Sequence, residues 1–424
     1  MSYEEVRRYL AGAEHTRGIR PGLSRMRQLM TLLGNPEKSI RGIIHVAGTN
    51  GKGSILAFLD EILRRAGYHV VKYTSPAVFS WLERYTADGQ PVTEKNFAAA
   101  AGRVIAAAEL ISEREGDPPT AFEIETAAAY LIAAEAACDF FLVETGMGGL
   151  LDATNITDRV TLSVIGSVSR DHMAFLGNTL EEIAAQKAGI IKDGCPVVVS
   201  ASNFRCENGN LIVKAAAVHR AAVYRGDDRV PYPLSLSGAH QQENAGAAYT
   251  AVRVLRQLGY GISESCVREG FAHTVWPGRF ETVRQTPLCI LDGAHNAAAA
   301  ERLAETLRGP QYAEKKKFLV LGIFKDKEYD QVVRAVAPMA EKVYVFTPDS
   351  PRGLSAGMLA ACVRSLTGRP VTECGDVGAA VGAAYREAEK NGENGMVLCC
   401  GSLSYLGKAK DILLTSEKSA VSCL

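Results

Sequence analysis

The feature that constrains this chain most is a junction. Ile43–Val46, a short and mostly β-branched apolar run, gives way to Ala47-Gly48-Thr49-Asn50-Gly51-Lys52-Gly53-Ser54. A helical pattern follows from about Lys52 to Ala66, and a second apolar run lies at His69–Tyr73. Strand, glycine-rich turn, helix and strand make a βαβ unit, and such units come from parallel sheets. The alternation continues. Phe140–Val143, Val160–Ile165 and Pro196–Val199 read as strands, with alanine-rich helices at Ala121–Ala137 and Leu180–Gly189 between them. Strands restart at Leu288–Leu291, Lys317–Gly322, Lys342–Thr347 and Met396–Cys399, each followed by a helical pattern. The expected class is α/β. Thr282–Pro287, polar and closed by proline, is the candidate linker and divides the chain into residues 1–285 and 286–424, the second of compact Rossmann-like size. Ala201–Leu236 is less regular and reads as a small β-subregion of the first domain.

Composition narrows the partners. The chain has 47 basic and 47 acidic side chains among 424 residues, so no basic excess points to nucleic acid. The start, MSYEEVRRYL, has no apolar leader core, and the most apolar stretch, Ala127–Val143, is interrupted by Glu135 and Asp139. No membrane partner is expected. Ten cysteines are scattered without CxxC or zinc spacing and read as buried, reduced thiols. The expected compartment is the cytoplasm, the expected state a monomer, and the expected partners small molecules.

The glycine-rich turn has the context of a phosphate site. Glycines let backbone N–H groups turn toward an anion, and a helix N-terminus adds partial positive charge. Gly48, Thr49, Asn50, Gly51, Lys52, Gly53 and Ser54 form the candidate cradle, with Lys52 placed for the outer phosphates and a hydroxyl such as Ser54 for a metal. The strict GxxxxGK[ST] spacing fails, because position 46 is Val and Gly53 separates Lys52 from Ser54. A turn that caps an ordinary helix is the plain alternative. Glu144 follows the run FFLV, at a strand end where ligands of open α/β sheets gather, and suits Mg2+. His172 and Ser75 follow two further strands, where a solvated histidine and a turn before proline are the plain alternatives. Thr120-x-x-Glu123 after two prolines has the form of a capping box.

GTNGKGS resembles the phosphate loop of the Mur ligase superfamily, in particular folylpolyglutamate synthase and dihydrofolate synthase. Further motifs follow in the same order: TSP at Thr74–Pro76, ETGMGGLLDATN at Glu144–Asn155, DHMAFLGNTLEEIAAQKAGIIK at Asp171–Lys192, HQQENAGAA at His240–Ala248, PGRFE at Pro277–Glu281 and DGAHN at Asp292–Asn296. The resemblance implies a Mur-ligase-like P-loop ATPase domain on a parallel sheet, with a pterin site, and a smaller Rossmann-like C-terminal α/β ligase domain. It implies ATP held by residues 48–54 with Asn244, Arg279, Asp292 and His295, and two Mg2+ ions. The metal ligands would be Ser75, Glu144, His172 and Lys187, the last carbamylated by CO2; Lys52, Lys187 and His172 would be catalytic. Thr120, Phe122, Glu123, Leu151, Asp152 and Ala153 would contact a folate or dihydropteroate, whose carboxylate is joined to L-glutamate through an acyl phosphate. A Mur-type ligase with another carboxylate substrate, or a catalytically silent nucleotide-binding relative, are the alternatives. Three departures from the family pattern, Ala77, Leu150 and Ala297, bear on the acceptor more than on the reaction. Gly322–Lys327 and Thr347–Arg352 are candidate loops for amino-acid contact.

Overall fold

The computed structural model describes residues 1–415, which leaves Cys423 outside the described residues. The chain forms two compact units, one of Met1–Ala77, Trp81–Ser235 and Gln242–Thr274, the other of Val78–Ser80, Leu236–Gln241 and the chain from Val275 onward.

The first unit is built on eight strands: β1 (Ile43–Ala47), β2 (Val70–Tyr73), β3 (Tyr85–Ala87), β4 (Gln90–Pro91), β5 (Phe140–Glu144), β6 (Leu162–Ile165), β7 (Val197–Val199) and β8 (Val223–Arg225). Their order is β4-β3-β2-β5-β1-β6-β7-β8, parallel from β2 to β8, with β3 and β4 antiparallel at one edge. β1 and β5 are buried along their whole length, as strands covered by helices on both faces must be. Register decides where the chemistry gathers. Val46 lies beside Glu144, Ala47 beside Ile165 and Tyr73 beside Val143, so β2, β5, β1 and β6 end level at their carboxyl ends.

The second unit carries β9 (Glu281–Gln285), β10 (Leu288–Leu291), β11 (Lys316–Leu321), β12 (Lys342–Val345), β13 (Val371–Glu373) and β14 (Gly395–Cys400), in the order β13-β12-β11-β14-β10-β9. Only β9 is antiparallel. Thr282–Pro287 is therefore not a linker. Most of it is β9, a partly exposed edge strand paired with β10, whose polar residues face water rather than marking a break. The break falls ahead of it, which places Arg279 in the second unit. Ala201–Leu236 is likewise not a β-subregion. It holds the helix Asn208–Val218 and the single strand β8, which extends the main sheet. Nine described cysteines are free thiols: Cys138, Cys195, Cys289, Cys399 and Cys400 are buried, Cys266, Cys362 and Cys374 are half-buried, and Cys206 is exposed. No helix among the described residues is long and apolar enough to cross a membrane.

Candidate active site

The loop after β1 is pinned from one side. Thr49 N–H donates to the Ser167 carbonyl at 2.7 Å, and Thr49 exchanges two bonds with Ser169, its hydroxyl donating to Ser169 O at 2.9 Å and accepting from Ser169 N–H at 3.0 Å. The helix Lys52–Arg65 then starts on Gly51, a cap with φ +87° and no side-chain acceptor. Its first-turn N–H groups have no intrahelical partner by construction. A Cβ at Gly51 would collide with the Asn244 side-chain amide, so the expected nucleotide residue Asn244 does lie against this loop. Lys52 Nζ turns back to the carbonyls of Gly48 (3.2 Å) and Thr49 (3.4 Å). Ser54 is buried behind it.

Neighbouring strand ends supply the rest. Glu144, 5 % exposed at the end of β5, lies 3.7 Å by Oε1 from Lys52 Nζ, and its Oε2 accepts the Ser75 N–H at 3.4 Å. A carboxylate and a hydroxyl residue thus meet beside the loop lysine, a donor set that suits a hard, oxygen-seeking cation. His172 sits after β6 in a left-handed conformation (φ +51°), with its ring exposed and 3.9 Å from Asp171 Oδ2. Among the described residues no three His, Cys, Asp or Glu side chains converge on a metal position; the expected set draws on two such residues only. Lys187, on the helix Leu180–Ala188, is 3 % exposed. Burial, helped by the Lys52 ammonium and opposed by Asp171 and Asp152, pushes its pKa down to about 7. An amine so placed is readily neutral.

The expected acceptor residues lie on two segments that the fold brings together. Phe122 stacks against Gly146, where any side chain would collide with its ring, and Gly146 opens the run that leads to Leu151, Asp152 and Ala153. Leu151 is exposed and Ala153 buried. Asp152 is buried; its Oδ2 accepts Met147 N–H at 2.7 Å and its Oδ1 accepts Thr154 N–H at 3.0 Å. The capping box of Thr120 and Glu123 is present, and Glu123 Oε2 also accepts Arg25 Nε at 3.1 Å. Leu150, half exposed, covers Gly189.

In the second unit, Asp292 directly follows β10 and is buried. Its oxygens accept the N–H groups of Phe280 and Ala294, each at 2.8 Å, so it ties the PGRFE and DGAHN runs together. Burial raises its pKa, with Arg279 opposing. His295 Nδ1 donates to the Gly293 carbonyl at 2.8 Å. Asn296 caps the helix Ala297–Leu307, whose first residue is the Ala297 that replaces the family proline. Arg352 is gripped by both oxygens of Asp326, at 3.1 and 2.6 Å. Sequence reading passed over Ser167 and Ser169, which brace the phosphate loop, and His45 and Thr154 behind it; the Gly-Ser-x-Ser run after β6 was the available signal for the first pair.

A glycine loop, a lysine and a carboxylate at adjacent parallel strand ends define a phosphate-handling α/β enzyme of the Mur ligase class. Residues 46–225 match the Mur ligase middle domain and residues 278–403 the Mur ligase glutamate ligase domain. The chain is 37 % identical over 375 residues to the dihydrofolate synthase/folylpolyglutamate synthase of Bacillus subtilis, covering 83 % of this chain and 86 % of that one. Its fold is similar to that of Mycobacterium tuberculosis folylpolyglutamate synthase complexed with ADP, with a TM-score of 0.87 and 28 % identity over 96 % of this chain and 98 % of that one. It is also similar to a bifunctional folylpolyglutamate synthase/dihydrofolate synthase with Mn, AMPPNP and L-glutamate bound, with a TM-score of 0.80, 29 % identity and 97 % and 98 % of the two chains covered. The chain belongs to the folylpolyglutamate synthase and dihydrofolate synthase family.

Proposed function

We propose that this protein is an ATP-dependent, ADP-forming ligase that joins L-glutamate to the carboxylate of a folate or dihydropteroate. The observation that carries the reading is the meeting of Lys52, Glu144 and Ser75 at the level ends of β1, β5 and β2, beside the uncapped start of the helix Lys52–Arg65. The loop N–H groups and Lys52 bind and orient the triphosphate, and Lys52 offsets the charge that develops as the γ-phosphoryl group moves to the acceptor carboxylate. An acyl phosphate and ADP result. The glutamate amine attacks the activated carbonyl, phosphate leaves, and an amide remains.

Ser75, Glu144 and His172 are the residues that would hold divalent metal, which when bound neutralises phosphate charge. We assign two Mg2+ ions, with Lys187 contributing to the second as a carbamate. Its neutral amine adds to CO2, forming the N–C bond and releasing one proton to solvent; its burial and lowered pKa favour that product. Asn244, against Gly51, completes the first unit's nucleotide residues, and Arg279, Asp292 and His295 are the second unit's own candidates for nucleotide contact. Thr120, Phe122, Glu123, Leu151, Asp152 and Ala153 form the acceptor site, with Phe122 as its stacking face. The free thiols support a cytoplasmic setting.

ADP release tests the reading. Release that requires both glutamate and either dihydropteroate or tetrahydrofolate supports it. ATP binding without turnover on either acceptor would sink it.

A further inference from the structure

The Asp152 carboxylate stands at the end of a donor chain that begins on β1, and the chain has one direction. Thr154 Oγ1 lies 2.5 Å from Asp152 Oδ1, and His45 Nε2 lies 2.9 Å from Thr154 Oγ1. A hydroxyl has one proton to donate. With Asp152 ionised that proton goes to Oδ1, so His45 Nε2–H must be the donor to Thr154. His45 Nδ1 is then a bare lone pair, and it is enclosed and without a partner among the described residues. The reverse order needs a proton on Asp152 and leaves an N–H at His45 Nδ1 with no acceptor.

Nothing about β1 itself calls for a histidine. Its neighbours in the strand are Ile44 and Val46, all three are 0 % exposed, and an aliphatic side chain would fill the place without a polar atom to satisfy. A buried polar atom left without a partner is destabilising, so the imidazole works against the fold taken alone. Thr154 is held on its other side as well, its carbonyl accepting the Tyr130 hydroxyl at 2.8 Å. The middle of the relay is therefore anchored through its own backbone. His45 lies three residues ahead of Gly48, on the strand that carries the phosphate loop, so one strand anchors both the loop and the acceptor-site carboxylate.

We propose that His45 is a positioning residue for the acceptor: through Thr154 it holds the Asp152 carboxylate in place to receive N–H donors from the substrate's heterocyclic ring. The inference rests on the assignment of Asp152 to the acceptor site. It predicts a selective effect. His45→Leu should raise KM for the folate or dihydropteroate about tenfold, the scale of one hydrogen bond in a chain to a charged group, while KM for ATP changes less than about twofold. His45→Gln, whose Nε2 can donate from nearly the same place, should restore most of the loss. Thr154→Val should reproduce His45→Leu, and the double variant should be no worse than either alone.

Nitrogen NMR of the unmodified protein reads the tautomer directly and does not depend on any variant folding. The expected spectrum shows a protonated Nε2 and an unprotonated Nδ1 for His45. A protonated Nδ1 overturns the proposal. So do equal defects in the Leu and Gln variants, or a rise in KM for ATP that matches the rise for the acceptor. Asp152→Asn separates the two layers. If it raises acceptor KM and His45→Leu does not, the relay is wrong and the acceptor site stands; if it leaves acceptor KM unchanged, the site assignment falls and the proposal with it.

Discussion

Lys52 Nζ lies 3.7 Å from Glu144 Oε1, across the boundary between two adjacent parallel strands. The two side chains are largely shielded, so their charges act in a medium less polarisable than water and the interaction is correspondingly stronger. An ammonium held this way is in place before the triphosphate arrives and needs little reorganisation as charge develops. Lys52→Ala should lower kcat by about a thousandfold while the thermal unfolding transition stays cooperative. Lys52→Arg should rescue little, because a planar fork does not replace a point charge in a tight loop. Steady-state ADP release together with circular dichroism melts reads both; near-normal turnover in the Ala variant would end the loop assignment.

Gly51 offers a cleaner dissection, because a second glycine serves as its control. Gly51 (φ +87°) and Gly67 (φ +88°) share a left-handed backbone, but a Cβ at Gly51 meets Asn244 and a Cβ at Gly67 meets nothing within 4 Å. Alanine at either position should destabilise by about 1–2 kcal/mol through backbone strain. Only Gly51→Ala should also displace the Asn244 amide and raise the dissociation constant for ATP, by about tenfold or more. Nucleotide titration by calorimetry distinguishes the two; equal affinity in both variants would separate Asn244 from the nucleotide site.

The parallel core was legible because buried strands must be apolar along their length. Runs such as Phe140–Val143 and Leu288–Leu291 carry that pattern without ambiguity. Edge strands carry no such requirement. Gln90–Pro91 and Val371–Glu373 are short and partly or fully exposed, and Glu281–Gln285 is polar enough to pass for a linker. The same logic separates the site residues. Glu144 stands directly after an apolar run, Ser75 two residues after one and Lys52 just past the glycine turn that follows one, where local sequence announces a strand end. The bond between His45 and Thr154 joins positions 109 apart, and the pairing exists only once β1 and the segment after β5 are folded.

Glu123 shows how a predicted contact residue can also be scaffold. Its Oε2 accepts the Thr120 N–H at 2.7 Å, the Thr120 hydroxyl at 2.9 Å and Arg25 Nε at 3.1 Å, and all three lie where the helix Ala121–Glu135 begins. Thr120→Ala removes the cap hydroxyl and should cost about 1 kcal/mol, and Glu123→Gln should cost about 1–3 kcal/mol by leaving Asp117 as the only charged acceptor of Arg25 among the described residues. Phe122 is carried on this helix turn, so acceptor KM should rise as the cap weakens, with ATP affinity unchanged. Urea unfolding and acceptor KM measured on the same variants check the coupling; a stable Glu123→Gln with lost acceptor binding would instead make the carboxylate a direct contact.

His45 gives a pH prediction whose sign is fixed by its burial. Enclosure, with the Lys192 ammonium adding to it, pushes the imidazole pKa down to about 3 from an ordinary 6.5. Above pH 6.5 the ring is neutral whether the chain is folded or not, and it contributes no pH dependence. Between 6.5 and about 3 the unfolded chain takes up a proton that the folded chain refuses, so stability falls as pH falls, by at most about 1.4 kcal/mol per unit from this residue. Replacing His45 with Gln removes the proton from that balance. Acid unfolding of His45→Gln should therefore be shallower by one proton across this window, even if its stability at pH 7 is lower. Urea midpoints measured from pH 7 to pH 4 give the slopes, and parallel slopes for the variant and the unmodified protein would mean that His45 is already protonated in the folded chain.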